Sequence, residues 1–341
     1  MRRVAVLAVV FVVVCVLPTV AQVRRGQLLP TDENGLVALD SPALAREIAA
    51  MRAEIKANGW TFTVGVNPAM RYTLDQLCGR REELLPPGVR EPEAAIQGAS
   101  AMAKKPARTP TPTPTPAPGL DPYYIGVFTP PKDQGGCGSC WAFGTIDEAE
   151  TAVLKHLEAS VGVVSGDVVT ASASTPDMSE QYVLSCNDLG YSCAGGNNAL
   201  EFLTGSHEGA IQETCFPYEA ADLACSYCST PTWWHLSAWA YLTGDTTIPT
   251  VAAIKQAILA YGAVTAYVYV DRTFQAYTGG VYNNTKTYRY TNHQIQLVGW
   301  DDSKSAWLLK NSWGTGWGIG GYMWITYTSC RVGEGAAWAT Y

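Results

Sequence analysis

Residues that could do chemistry gather first at Asp133-Gln134-Gly135-Gly136-Cys137-Gly138-Ser139-Cys140-Trp141-Ala142-Phe143. A Gly-rich loop runs here into a stretch whose apolar residues, Ala142, Phe143, Ile146, Ala149, Val153, Leu154 and Leu157, recur at helical spacing. The spacing predicts a helix from Cys140 to about Ala159 with Cys140 at its N-terminus. Unpaired amides there carry partial positive charge and favour the thiolate, the reactive form of cysteine. Gln134 lies just upstream and can swing its side-chain amide toward the same point as an oxyanion donor. A cysteine nucleophile also needs a base. The chain holds 4 histidines. His156 is too far along the nucleophile's own helix, His207 sits in a polar turn, and His235 lies beside Trp234. His293 stands where Thr291-Asn292 enters an apolar strand, Ile295 to Trp300, and Asn311, past the next strand, can orient its ring.

Cys137-x-x-Cys140 has two other readings. It is the spacing of a dithiol redox pair, or of half a zinc site completed by Cys225-x-x-Cys228. The gap between the two pairs is far longer than in compact zinc modules, and no histidine adjoins either, so no metal and no cofactor is expected. A redox pair fits a reducing compartment, whereas the N-terminus points to an oxidising one. A dithiol oxidoreductase, or a binding protein without proteolysis, stays as the alternative function.

The elements that must position these residues fall into two groups. From Cys140 to about residue 204 the segments are mostly helical: the Cys140 helix, Met178 to Leu184 and Asn198 to Thr204, with Gly162 to Thr175 as a surface insertion. After a helix at Ile254 to Tyr261, β-rich runs follow at Ala263 to Val270, Gly280 to Tyr282, Ile295 to Trp300, Ala306 to Lys310 and Tyr322 to Thr326. Helices first and strands later predict an α+β fold of two lobes, with a site in the cleft between them. Nearer the N-terminus, Ser41-Pro42 opens a helix lined by Leu44, Ile48, Met51 and Ile55 and ended by Asn58-Gly59. Trp60 to Val66 alternates like a strand, and Thr73 with Gln76 forms a capping box for a helix from Leu74 to about Leu84.

Taken together, these motifs closely resemble the papain-like cysteine proteases. Gln134, Cys137-Gly138-Ser139-Cys140-Trp141-Ala142-Phe143, Ser179-Glu180-Gln181 before Cys186, Cys193-x-Gly195-Gly196, Asn292-His293 and Asn311-Ser312-Trp313-Gly314-x-Gly316-Trp317-Gly318 carry the likeness over roughly residues 119–341. Trp60 to Gly79, with Leu77-Cys78-Gly79, resembles the short propeptide of cathepsin B-type members. The resemblance implies a papain-like two-lobe fold: a helical L domain at 119–235 and a β-barrel-like R domain at 236–341. It implies a Cys140 thiolate paired with a His293 imidazolium, an oxyanion held by Gln134 and the Cys140 amide, and Asn311 fixing the ring beneath Trp313. It also implies disulfides Cys137–Cys193 and Cys186–Cys225, with Cys215, Cys228 and Cys330 left unassigned, and a substrate-binding edge at Gly195, Gly196, Asn197, Asn198, Gln294 and Trp313. Gln294, Asn197 and Asn198 depart from the family's small, aromatic or proline residues, which argues against a plain large-aliphatic preference. There is no His-His occluding loop, so endopeptidase activity is expected.

The 341 residues are 47% hydrophobic, enough for a large core and more than one domain. Residues 1–21 read as a secretory signal: Arg2 and Arg3, an apolar Val4 to Leu17, and the small cleavage stretch Thr19-Val20-Ala21. A propeptide is expected over 22–102. The Thr/Pro-rich run at 103–118 reads as an extended linker open to activating cleavage. Residues 1–118 carry 14 Lys and Arg against 10 Asp and Glu, net +4, and residues 119–341 carry 9 against 20, net −11. An acidic body argues against nucleic-acid and anionic-membrane partners. The expected product is a monomer acting on peptides or proteins, with its own propeptide as intramolecular inhibitor, in the secretory pathway and then outside the cell or in a lysosome or vacuole. The charge split predicts that a basic propeptide is drawn to an acidic enzyme. Asn283-Asn284-Thr285 is a glycosylation sequon.

Overall fold

The structure, a computed structural model, describes residues 31–32, 35–81, 120–204 and 209–341. The signal at 1–21, the linker at 103–118 and His207 lie outside the described residues.

The N-terminal segment begins with α1, Pro42–Asn58. Ser41 Oγ accepts the Leu44 amide at 3.2 Å, Pro42 fills the first turn, and Gly59 closes the helix in the left-handed region at φ +67. Its buried stripe is Leu44, Ile48, Met51 and Ile55. β1 is only Thr63–Val64, shorter than the alternation predicts, because its sole partner is the short strand Tyr277–Gly279. The Thr73–Gln76 capping box forms, yet α2 spans just Leu74–Leu77. The chain leaves the helix there to run extended across the main body.

In the body, β2 is Tyr123–Ile125 and α3 is Cys140–His156. Every residue from Cys140 to Leu154 is buried, so α3 is an internal wall and not the surface helix its pattern suggests. Two of its acidic residues face the sheet: Asp147 meets Lys310 Nζ at 2.7 Å, and Glu148 accepts from Gln296 Nε2 at 3.3 Å and the Ala339 amide at 3.2 Å. A hairpin of β3, Val163–Ser165, and β4, Val168–Thr170, forms the insertion. Next come α4, Glu180–Cys186, and the paired strands β5, Ala210–Ile211, and β6, Trp233–Trp234. Disulfides Cys137–Cys193, Cys186–Cys225 and Cys215–Cys228 staple this loop-rich lobe, and Cys330 stays a buried free thiol. The third disulfide joins two of the cysteines left unassigned by the sequence.

The other lobe holds β7 (Ala238–Tyr241), α5 (Val251–Tyr261), β8 (Val264–Val268), α6 (Arg272–Gln275), β9 (Tyr277–Gly279), β10 (Val281–Tyr282), β11 (His293–Asp301), β12 (Ala306–Lys310), β13 (Tyr322–Thr326) and β14 (Glu334–Thr340). Its sheet runs β10-β13-β12-β11-β8-β14-β7. β11 is the spine: β12 lines one edge, while β8 takes the first half of the other and β2 the second, Gly299 opposite Ile125. His293 is thus the first residue of a strand, paired with Val268, and not part of the loop before it.

The N-terminal segment docks on this lobe. Phe62 packs on Tyr282 at 4.3 Å between ring centroids, and Gln275 Nε2 donates to the Ala69 and Tyr72 carbonyls at 2.8 and 3.0 Å. Three ion pairs cross between the segment and the body among the described residues: Glu47 with Arg272 at 2.8 Å, Glu54 with Lys286 at 2.7 Å and Arg80 with Glu334 at 3.8 Å. In the first two the segment supplies the carboxylate and in the third the cation, so the pairs run in both directions and do not follow the expected scheme of a basic propeptide on an acidic enzyme throughout. The net charge of each part does not predict which side chains meet.

Candidate active site

Three elements converge on one trench. α3 presents Cys140 in its first turn, β11 opens with His293, and the turn after β12 carries Asn311 and Trp313. His293 Nε2 donates to Asn311 Oδ1 at 2.8 Å, and the same oxygen takes the Ser312 amide at 2.8 Å. An amide oxygen only accepts, so the hydrogen sits on Nε2 and Nδ1 is turned to the trench. Trp313, itself buried, lies over the imidazole with ring centroids 4.9 Å apart and keeps water from that bond. Ser312 Oγ donates to Gln134 Oε1 at 2.7 Å, which aims Gln134 Nε2 at the carbonyls of Leu77 and Cys137, 3.0 and 2.8 Å away.

The trench is filled by the chain's own residues 77–81. The Leu77 carbonyl sits on the Gln134 amide and faces His293. The Gly79 amide donates to Cys140 Sγ at 3.3 Å. Gly196 N donates to the Gly79 carbonyl at 2.8 Å and its own carbonyl accepts from Arg81 N at 3.0 Å, while Arg80 N donates to the Asn292 carbonyl at 3.1 Å. Asn197 Nδ2 donates to the Arg81 carbonyl at 2.5 Å. Two glycines permit this approach. A Cβ on Gly79 would lie 1.6 Å from the Gly138 carbonyl oxygen, and one on Gly196 would meet Tyr191 at 2.7 Å and Trp141 at 2.8 Å. What faces the sulfur is therefore an N–H and not a carbonyl carbon, so the strand occupies the site without offering a bond to attack.

Covered in this way, the site is dry. Burial pushes the Cys140 thiol up, against the pull of the Gln294 and Gly79 amides, the Arg81 charge and the Trp141 amide. Burial also brings His293 down to about 4, with Asn311 and Leu77 working the other way. Both groups are neutral at pH 7. The thiolate–imidazolium pair expected from the resemblance is not the state of the covered site, because desolvation outweighs the helix terminus.

Gln134, Cys140, His293, Asn311, Gly196, Asn197 and Trp313 all reach the trench. Gly195 lies beside the strand at φ +131. Asn198 supports the trench wall: its amide donates to the Tyr267 hydroxyl at 3.2 Å, and its side chain accepts from Leu200 N at 2.9 Å. Gln294 turns its side chain into the body, against Gly144 of α3 and onto Thr265 Oγ1 at 2.8 Å, and only its backbone meets Cys140. Cys137 is bonded to Cys193, so Cys140 has no dithiol partner in the Cys137-x-x-Cys140 pattern. Sequence reasoning missed Arg80, Tyr267 and Glu334, and it read Asn292 only as the residue before the base, without the carbonyl that accepts the Arg80 amide. Arg80 directly follows Leu77-Cys78-Gly79, a contiguity that could have flagged it. Tyr267 and Glu334 carry no local pattern.

This geometry brings a buried thiol at a helix terminus, an imidazole held by an asparagine amide and an aimed glutamine together between two lobes. A family model for papain family cysteine proteases matches residues 124–340, and the chain belongs to that family. It is 36% identical over 199 residues to gamete and mating-type specific protein A of Dictyostelium discoideum, covering 58% of this chain and 40% of that protein. It is 33% identical over 220 residues to cysteine proteinase 2 of Entamoeba histolytica, covering 61% of this chain and 63% of that one. The chain thus spans less than two thirds of the length of these curated relatives. Its fold is similar to that of digestive procathepsin L2 from Tenebrio molitor larval midgut, with TM-score 0.66 at 23% identity over 88% of this chain and 90% of that one.

Proposed function

We propose that the chain is a cysteine endopeptidase made as a zymogen, with Cys140 as nucleophile, His293 as acid and base, Asn311 as the ring's anchor and Gln134 as an oxyanion donor. The observation that carries this reading is the strand at 77–81, whose carbonyl rests on Gln134 and whose amide caps Cys140. It behaves as an inhibitory propeptide laid through a substrate trench. Cleavage within 103–118 would separate it from the enzyme, whose lobes we assign to 119–235 and 236–341.

With the strand gone, water returns and His293 can take the Cys140 proton. Cys140 Sγ attacks the peptide carbonyl carbon, and the carbonyl electrons move to an oxyanion held by Gln134 Nε2 and the Cys140 amide. The C–N bond breaks as His293 gives its proton to the leaving amine, and a thioester remains. Water, giving a proton to His293, attacks the thioester and releases the acid product and Cys140. Substrates are peptides or proteins, and the enzyme works as a monomer in the secretory pathway, outside the cell or in a lysosome or vacuole. A peptidyl epoxide should label the full-length chain after acid treatment and leave the Cys140→Ala chain unlabelled. Equal labelling of both would overturn the assignment.

A further inference from the structure

Behind the trench, one phenol ties the two ends of the loop before α3. Tyr218 Oη donates to the Gln134 carbonyl at 2.8 Å and lies 2.6 Å from Ser139 Oγ. A carbonyl only accepts and a phenol has one hydrogen. That hydrogen goes to Gln134, so the Ser139 hydroxyl donates to the phenol oxygen. Ser139 directly precedes α3, where a serine hydroxyl ordinarily caps the first helical amides. Here it makes no such bond. It is buried and turned to Tyr218 instead. The ring is itself held from three sides. The Tyr218 amide donates to Glu213 Oε1 at 2.7 Å, the Phe143 ring meets it edge-on at 4.8 Å, and the next amide, Glu219 N, donates to Gln181 Oε1 of α4 at 3.0 Å. The Cys215–Cys228 disulfide closes the stretch that carries it. Burial pushes the phenol's ionisation up, so Tyr218 stays a donor at neutral and acid pH.

We propose that Tyr218 is a positioning residue of the oxyanion site, holding the Gln134 side chain and the Cys140 amide at the separation that one oxyanion needs. The inference rests on the peptidase reading of Cys140, His293 and Gln134. The two points that Tyr218 joins flank both donors: Gln134 carries one on its side chain, and the peptide from Ser139 to Cys140 carries the other. Between them the backbone turns through Gly135, at φ +57, and then Gly136 and Gly138, residues that give a chain little stiffness of its own. Ser312 holds the Gln134 side chain and Cys193 holds the middle of the loop, but neither links Gln134 to Ser139. Two donors stabilise one developing charge only if their spacing is set before the charge appears. Without the phenol hydrogen, Ser139 is free to turn back onto α3, and the Gln134 backbone loses its tie to the helix.

The test uses the full-length chain after acid activation, with active sites counted by total epoxide uptake. In Tyr218→Phe, kcat for a fluorogenic peptide amide should fall about 10-fold, the scale of one lost hydrogen bond, with KM within about 2-fold. The reaction of Cys140 with 2,2′-dipyridyl disulfide needs the thiolate but builds no oxyanion, and its rate–pH profile should not move. In a Gln134→Ala background, Tyr218→Phe should cost less than about 3-fold, because the side chain it aims is gone. Ser139→Ala cuts the link from its other end. It should lower kcat by itself, add nothing to Tyr218→Phe, and decide the matter if Tyr218→Phe does not fold. An unchanged kcat in either single variant, an equal fall in kcat and in the disulfide rate, or additive losses in either double variant overturns the inference and spares the peptidase reading. A parent chain that reacts with the disulfide yet cleaves no peptide amide overturns the peptidase reading, and the inference with it.

Discussion

At the scale of single residues, the trench depends on groups that hold other groups. Asn311 accepts from His293 Nε2 and so fixes which imidazole nitrogen is left to the trench. Asn311→Ala should lower kcat/KM by roughly 10–100-fold, the cost of one lost charge-assisted hydrogen bond, and shift the acid limb of the pH–rate profile, measured on active-site-titrated enzyme. Gln134→Ala should cost more, about 10²–10³-fold in kcat, since it removes a donor at the developing oxyanion. These residues were legible in the sequence because each sits in a short motif with a mechanical reason: a glycine loop before a helix for Gln134 and Cys140, and the edges of apolar strands for His293 and Asn311. Gln294 was misjudged because adjacency to the base says nothing about which way a side chain turns. On β11 alternate residues face opposite sides, and Gln294 fills the space left by Gly144.

At the scale of elements, latency rests on the five residues at 77–81, and their backbone fits because Gly79 has no side chain. Gly79→Ala would drive a Cβ to within 1.6 Å of the Gly138 carbonyl oxygen. The expected outcome is a chain that still folds through α1 and β1 but takes up epoxide without acid, at least about 10-fold faster than the parent, equivalent to about 1.4 kcal/mol of lost docking. This strand was invisible to periodicity, being too short and bounded by a capping box that suggested a longer helix. β14 was missed for a related reason, since its Ala-rich sequence shows no alternation. The apolar spacing marks α3, but says nothing of its acidic residues, and only the positions of Lys310 and Gln296 show that Asp147 and Glu148 point inward.

At the scale of the whole molecule, pH acts on His293 and on Glu148 in opposite senses. His293 is held near 4 beneath the strand, against an ordinary 6.5. The uncovered state binds the proton more readily, so the grip on the N-terminal segment is full above about 6.5 and is lost as pH falls toward about 4. In a Cys140→Ala chain cut between the two parts by an added protease, the N-terminal fragment should co-elute with the body at neutral pH and separate as the pH approaches about 4. Glu148 has the opposite sense. Burial raises its carboxyl from 4.5 to about 8, so its contribution to stability is full below 4.5 and is lost as pH rises through about 8. Glu148→Gln should flatten the fall in Tm on the alkaline side by roughly 2–4 °C for each kcal/mol restored, followed by thermal unfolding across that range. The same body is thus built to release its inhibitor, and to keep its own packing, in acid.

The Gly79 amide resting on Cys140 has one more consequence. A sulfur that is dry, protonated and capped is a poor target for peroxide, which needs an exposed thiolate. The latent chain should survive storage in an oxidising fluid and, after exposure to hydrogen peroxide and then acid, yield as many working enzyme molecules as an untreated sample. The uncovered enzyme, given the same dose, should decay to sulfinic acid. The chain's shelf life before use is set by the five residues that silence it.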